Sequence, residues 1–575
     1  MLKLFAKYGK DYKLSIILAP IFKIFEAIFG LIVPLVVKNI IDKGIDGNQD
    51  VNQDVNYIIQ QGLILLGLAV VGFLMTMVCQ ILAVKVSTAY AYSIRNDLYK
   101  KINTLSYKEL DDFTPSSLQT RLSSDVIQTQ NAFAMLLRLA IRAPFIIIGS
   151  VVMSIFVSPS LCWIFLVSGL LLGGVIFAIG FISIPYNSKI QSNLDTATNI
   201  VNDNLTGVRV VRAFNKQEHE KKRYYFTTAT IQDISIRLAK ISSLSNPLNT
   251  VIINAGLILI LVLGSINFSS GSLTKGSIIS LTNYMTQISQ AVVVVANLIV
   301  IFSKGSSSSK RIWEVLNAKS SLIEGDKKVD NSQNMVIDFK NVSFKYNKDA
   351  SNSISNFNYQ FKQGNVYGII GGTGSGKSTL MNLLCHFYDV DEGEVSINDV
   401  NVQEYEESSI IDNIGLVSQN PTLFSGTIES NLKFAKKDAS DENIQKAIEI
   451  GQSKNIIQAK GGLNAEINQG GKNLSGGQRQ RLTISRALVK DPKIIILDDA
   501  SSALDFETDY KLRKAVREIS KDKLVILISQ RVNSIKDADQ ILVLDKGELV
   551  GSGDHSSLIN NCKVYKDFCT SQEVL

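Results

Sequence analysis

Six apolar stretches fill much of the chain before Gly305, at 14–37, 58–84, 136–157, 161–184, 248–268 and 278–302. Each is long enough to cross about 30 Å of hydrocarbon at about 1.5 Å per helical residue, which predicts six membrane-spanning helices. No comparable run follows Gly305. The first run is too long for the apolar part of a cleaved leader and lacks a small-residue cleavage site after it, so it reads as a span. The connections differ sharply. Residues 39–57, 158–160 and 269–277 are short, with Lys43 and Lys275 as their basic residues. The connection 85–135 carries Lys85, Arg95, Lys100, Lys101, Lys108 and Arg121, and 185–247 carries nine Lys and Arg. Basic residues are retained on the cytoplasmic side, so both long connections, both termini and the C-terminal half are expected there.

The long connections are predicted to be helices leaving the membrane, because segments such as 198–214 lack proline and place apolar residues at helical spacing. They are expected to turn at 111–117 and near 215–223, each turn offering a short element that can touch a soluble domain. After the serine run 306–309 the pattern changes. Short β-rich runs at 335–344, 366–370, 494–497, 524–528 and 541–544 alternate with helical segments, which predicts an α/β domain with a largely parallel sheet. The expected organisation is a membrane domain over 1–305, a linker over 306–334 and a soluble domain over 335–575.

Composition fits this division. Of 575 residues, 46% are hydrophobic and 19% charged, as an apolar half joined to a soluble half requires, and this excludes a disordered chain. Five scattered cysteines with no CxxC pair exclude a disulfide framework and a cysteine-rich zinc site. The net charge of +7 could suggest nucleic acid, but membrane topology accounts for the basic connections, and no nucleic-acid partner is expected.

The chemistry is concentrated in the second half. The run 366–370 leads into Gly371-Gly372-Thr373-Gly374-Ser375-Gly376-Lys377-Ser378-Thr379, the phosphate-loop pattern between a predicted strand and a predicted helix. Its glycines let backbone N–H groups curl around phosphates, and the helix start adds a favourable dipole. Lys377 is expected to reach the β- and γ-phosphates and Ser378 to ligate Mg²⁺. The apolar strand 494–497 ends at Asp498, a carboxylate placed to hold the same Mg²⁺.

Between these motifs stands Leu474-Ser475-Gly476-Gly477-Gln478. With this signature the chain resembles the ATP-binding cassette (ABC) transporters, and its layout resembles the exporter half-transporters of the P-glycoprotein type. The resemblance implies ATP as cofactor with Mg²⁺, and a nucleotide-binding domain at 335–575. Tyr346 then corresponds to the aromatic that stacks on adenine, and Gln419 to the Q-loop glutamine that contacts Mg²⁺ and water. Ser501-Ser502-Ala503-Leu504-Asp505 corresponds to the D-loop, and the two cytoplasmic turns to the coupling helices. In the family's head-to-tail dimer, Ser475, Gly476, Gly477 and Gln478 of one chain close on the ATP held by the other.

Two positions depart from the family pattern. Asp499 stands where glutamate usually polarises the attacking water, and Gln530 where histidine usually contacts the γ-phosphate. Gln469 also occupies roughly the place of an X-loop glutamate. A glutamine can hydrogen-bond but cannot take the charge of a histidine. The combination resembles the degenerate-site subunit of a bacterial heterodimeric multidrug exporter in the plasma membrane, paired with a different half-transporter and moving amphipathic compounds out of the lipid bilayer or cytoplasm. Lipid or peptide export is the alternative within the class, and an ATP-gated, non-pumping regulator is the alternative outside it. The last span puts Asn283, Gln287, Gln290 and Asn297 on one helical face, either facing a cavity or bonding neighbouring helices. In the first span Lys23 and Glu26 lie one turn apart, either as a structural pair or with Glu26 as a counter-charge for cationic substrates.

Overall fold

A computed structural model describes residues 1–46, 51–347 and 350–574; residues 47–50 of the first short connection lie outside them. The chain forms two compact units, Met1–Asn103 with Thr114–Ala318, and Thr104–Phe113 with Lys319–Leu575.

The first unit is helical: α1 (Leu2–Tyr8), α2 (Lys13–Asn39) and α3 (Val51–Ile102) precede the segment Thr104–Phe113, whose helix is α4 (Tyr107–Phe113). Then follow α5 (Pro115–Thr120), α6 (Val126–Arg138), α7 (Arg142–Val157), α8 (Cys162–Thr206), α9 (Val208–Ala213), α10 (Gln217–Ser243), α11 (Ser245–Ser269) and α12 (Lys275–Asn317). Among the described residues, six helical stretches are long and apolar enough to span a membrane. The third apolar run is not one helix. It breaks between Arg138 and Arg142, where α6 gives way to α7. The second expected turn also comes earlier than 215–223. It is α9, closed by Asn215 at φ 51°, and α10 is under way by Gln217.

The small helix α1 is pinned by aromatics. Phe5 stacks on Phe133 at 4.5 Å and meets Tyr90 edge-on, while the Tyr8 hydroxyl donates to Asp97 at 2.9 Å. Nearer the other end of the bundle, the buried Tyr284 hydroxyl donates to the Leu31 carbonyl at 2.7 Å. The serine run 306–309, expected to open a linker, is inside α12, with Ser308 and Ser309 buried. Ser308 joins a polar cluster on the helix that leads into α6. Asp125 is buried and accepts from the Ser308 hydroxyl at 2.9 Å and from Arg311 Nε at 2.8 Å, while Arg121 donates to the Arg311 carbonyl at 2.7 Å. Lys23 and Glu26 do pair, at 3.2 Å, but Glu26 also takes a two-pronged bond from Arg142 at 2.9 and 3.2 Å.

In the second unit the strands are β1 (Val336–Phe344), β2 (Ile354–Lys362), β3 (Val366–Gly371), β4 (Glu392–Ile397), β5 (Val400–Asn401), β6 (Ile414–Val417), β7 (Gly426–Thr427), β8 (Glu466–Ile467), β9 (Ile494–Asp498), β10 (Leu524–Ser529), β11 (Gln540–Asp545) and β12 (Glu548–Gly553). The main sheet runs β12-β11-β3-β10-β9-β6 and is parallel apart from β12. An antiparallel sheet, β2-β1-β4-β5, covers one side. Central strands β3 and β9 are buried along their length, which explains their unbroken apolar runs. Helix α4 belongs to this unit: Tyr107 stacks on Phe387 at 4.4 Å, the Tyr388 hydroxyl donates to Asp111 at 2.9 Å, and the Ser321 N–H donates to Glu109 at 3.2 Å. The first expected turn thus spans Tyr107–Phe113 rather than 111–117. Thr114 at φ 57° ends it and Pro115 opens α5.

Asp125→Ala should lower stability by about 1.5–3 kcal/mol, the range for hydrogen bonds to a charged group. Thermal unfolding in neutral detergent checks this, with Asp125→Asn expected to fall between the two.

Candidate functional site

The site forms where parallel strands end. β3 delivers its C-terminal end to a loop that opens α13 (Lys377–Leu384), while β9 ends at Asp498 and β10, which lies between β3 and β9, ends at Ser529. Ligands bind at this end of such sheets because the loops diverge there. Gly374 (φ 79°) and Gly376 (φ 97°) take left-handed backbone conformations, and a Cβ on Gly376 would stand 2.6 Å from the Ser353 carbonyl. Only glycine gives the loop this path.

Lys377 curls back onto the loop, donating to the Gly371 and Gly372 carbonyls at 2.8 Å each. Burial pushes its ammonium pKa down, and the charges of Asp498 and Asp499 oppose that. Asp498 is pushed up to about 6 by burial and by the Asp499 carboxylate beside it, against the pull of Lys377 and a hydrogen bond from Ser378. A cavity of about 390 Å³ gathers residues 373–379, Gln419, Asp498, Asp499 and Gln530. It also takes in Ser351, Asn352, Ser353 and Ser529, which no motif marked. Asp499 has φ 47°; its N–H donates to the Ile528 carbonyl at 2.8 Å, and its carboxylate accepts from the Ser529 hydroxyl at 3.4 Å. The backbone around Gln530 is clasped by Gln572, whose amide donates to the Gln530 carbonyl and accepts from the Val532 N–H, both at 2.8 Å. Nothing in the sequence links two positions so far apart.

Three expected groups stand outside this cavity. Tyr346 is partly exposed, edge-on to Phe344 and Tyr388, with its hydroxyl 3.4 Å from Thr379. Gln469 begins the short turn Gln469–Gly471. Ser475 caps the helix Gly476–Leu488 by a reciprocal capping box with Gln478, and Gly477 lies against the Ala503 carbonyl, where a Cβ would approach to 2.8 Å. Phosphate loop and signature are therefore separate features of one chain.

The donor set suits a small divalent cation. Ser378, Gln419 and Asp498 offer oxygen ligands, and the crowding of Asp498 by Asp499 is the excess negative charge that such a cation would neutralise.

Residues 16–292 match the ABC transporter transmembrane region, and residues 354–502 match the ABC transporter domain. The chain is 34% identical over 526 residues to an ABC transporter ATP-binding protein of Bacillus subtilis, covering 89% of each. The chain belongs to the ABC transporter family. It is also 31% identical over 486 residues to the ATP-dependent lipid A-core flippase of Vibrio vulnificus, covering 84% of this chain and 82% of that protein. Its fold is that of a bacterial Atm1-family ABC exporter solved with ATP bound, at TM-score 0.83 and 21% identity over 97% and 98% of the two chains. This ABC transporter accordingly has the layout of an exporter-type half-transporter: a multi-pass membrane protein with an ATP-binding domain in the same chain.

Asp498 gives a pH test. Its folded pKa, about 6, lies above the ordinary 3.8, so the folded protein holds this proton more tightly than the unfolded chain and loses stability as pH rises between those values. Asp498→Asn should raise the unfolding temperature of nucleotide-free protein near pH 7.5, and the gain should shrink toward about pH 5. The same variant should lose most of the stabilisation that Mg-ATP confers, as read by differential scanning fluorimetry.

Proposed function

We propose that this chain is the slow-site half of a heterodimeric ABC exporter for amphipathic compounds. The observation that supports it most directly is the pairing of Asp499 and Gln530 in a cavity whose Lys377, Ser378 and Asp498 are intact, alongside an intact signature elsewhere on the chain. In this reading the loop N–H groups and Lys377 hold the phosphates. Lys377 exchanges the Gly371 and Gly372 carbonyls for phosphate oxygens, a swap its flexible stem permits. Ser378, Gln419 and Asp498 hold Mg²⁺, which supplies charge neutralisation at the phosphates. Tyr346 stacks on adenine.

Asp499 is the weak point. One methylene less than glutamate withdraws the carboxylate by about 1.5 Å, the length of a carbon–carbon bond. General-base contributions of about 10²–10⁴-fold depend on hydrogen-bond reach, so a water at the glutamate position is poorly served. The exposed Gln530 adds a hydrogen-bonding amide but no charge. Hydrolysis then falls mainly to the partner's site, which Ser475, Gly476, Gly477 and Gln478 of this chain complete. The long basic connections support cytoplasmic termini and a cytoplasmic nucleotide-binding domain. On the membrane side, Gln287 donates to the Gly30 carbonyl at 3.1 Å while Asn283, Gln290 and Asn297 stay exposed, a polar strip open to substrate or to the second half-transporter. The flippase relative favours lipid-like amphiphiles as a second reading of the substrate.

Purified alone, the chain should hydrolyse ATP slowly, and Asp499→Glu with Gln530→His should raise that rate by about 10²-fold, the lower end of a general-base contribution. Fast hydrolysis by the unmodified chain alone would sink the proposal. With the co-purified partner present, Ser475→Arg should all but abolish turnover, because it drives a bulky cation against the partner's nucleotide, whereas Asp499→Ala should cost only a few-fold.

A further inference from the structure

The six apolar runs carry four charged side chains in all: Lys23, Glu26, Arg138 and Arg142. They converge. Glu26 is shared by Lys23 at 3.2 Å and by the two-pronged Arg142 guanidinium at 2.9 and 3.2 Å. Lys23 also donates to Thr76 on α3 at 3.3 Å. Arg138 closes α6 one turn before Arg142, and it lies, with Lys23 and Glu26, within electrostatic range of the buried Cys79 thiol of α3. Among the described residues no hydrogen bond or ion pair engages Arg138. The one carboxylate therefore pairs with two cations and leaves Arg138 without a partner, an excess of two positive charges in the group.

Depth makes this costly. Lys23 is ten residues into α2, about 15 Å along the helix, and Cys79 precedes Lys85 by six residues, about 9 Å. The cluster thus sits inside the membrane half nearer the long helical extensions. A charge at such depth persists when paired or when it serves a ligand, and here pairing stops at one carboxylate. The Arg142 and Arg138 side chains remain partly accessible, so a ligand can reach them. With Glu26 already bound from two sides, a counter-charge role for cationic substrates has no free carboxylate oxygen pair to offer.

We infer that this cluster is a binding site for the anionic headgroup, of phosphate type, of an amphiphile whose tail stays among the apolar spans. Guanidinium groups suit the task because they bind phosphate oxygens through two parallel donors. The inference rests on the exporter reading and specifies its substrate class: anionic rather than cationic amphiphiles.

The test is native mass spectrometry of the full chain in neutral-detergent micelles, without nucleotide, holding equal amounts of phosphatidic acid and diacylglycerol with the same acyl chains. Because it needs neither hydrolysis nor a partner, its failure leaves the slow-site proposal standing, and failure of that proposal leaves this result intact. Phosphatidic acid should be retained in clear preference. Arg138→Gln should cut the preference about fivefold, the effect of about 1 kcal/mol per basic residue near an anionic lipid, while Lys10→Gln at the exposed surface leaves it unchanged. Glu26→Gln should raise it, since it removes the one competing carboxylate; Arg138→Gln carries the test if that variant does not fold. Equal retention of the two lipids, an unchanged preference in Arg138→Gln, or displacement of phosphatidic acid by equimolar inorganic phosphate would overturn the inference.

Discussion

Hydrocarbon offers no hydrogen bonds, so every backbone N–H and C=O inside it must be satisfied by its own helix. The first unit follows from that requirement. Three of its helices, α3, α8 and α12, run on for 43 to 52 residues as single rods. A rod that keeps its hydrogen bonds beyond the bilayer can carry displacement without unfolding. Between α3 and α5, the chain gives α4 to the second unit, where Tyr107, Glu109 and Asp111 are all engaged. The chain enters and leaves α4 from helices of the first unit, α3 and α5.

The nucleotide cavity obeys a different constraint. Parallel strands place β3, β9 and β10 with their C-terminal ends together, and each end contributes one functional group: the glycine-rich loop, Asp498 and the Ser529–Gln530 corner. Burial and the neighbouring Asp499 carboxylate raise the cost of ionising Asp498 there, a cost that a bound cation would offset. Function and instability share one source.

Sequence patterning revealed the six spans and the phosphate loop because both are local: apolar run length for one, a glycine spacing before a helix for the other. Boundaries that depend on tertiary burial were less legible. Serine has only modest helix propensity, yet Ser308 stays helical where its hydroxyl donates to Asp125 and accepts from Arg311. The string Asp111-Asp112-Phe113-Thr114-Pro115 contains several turn formers, but Thr114 alone takes the left-handed conformation and the acidic residues finish α4. The Glu26–Arg142 pair spans 116 positions and the Gln530–Gln572 contact spans 42, separations over which a single sequence holds no pairing signal.

The Gln572 clasp has a practical consequence for anyone handling this protein. Its side chain holds a loop of the nucleotide cavity from the residue just past the helix Lys563–Ser571. Cutting the chain after Ser571, or fusing a folded tag tightly there, frees the Val532 amide and the Gln530 carbonyl together. A purification handle attached at the other end, or set off by a flexible spacer, keeps the measured turnover a property of the transporter and not of the label.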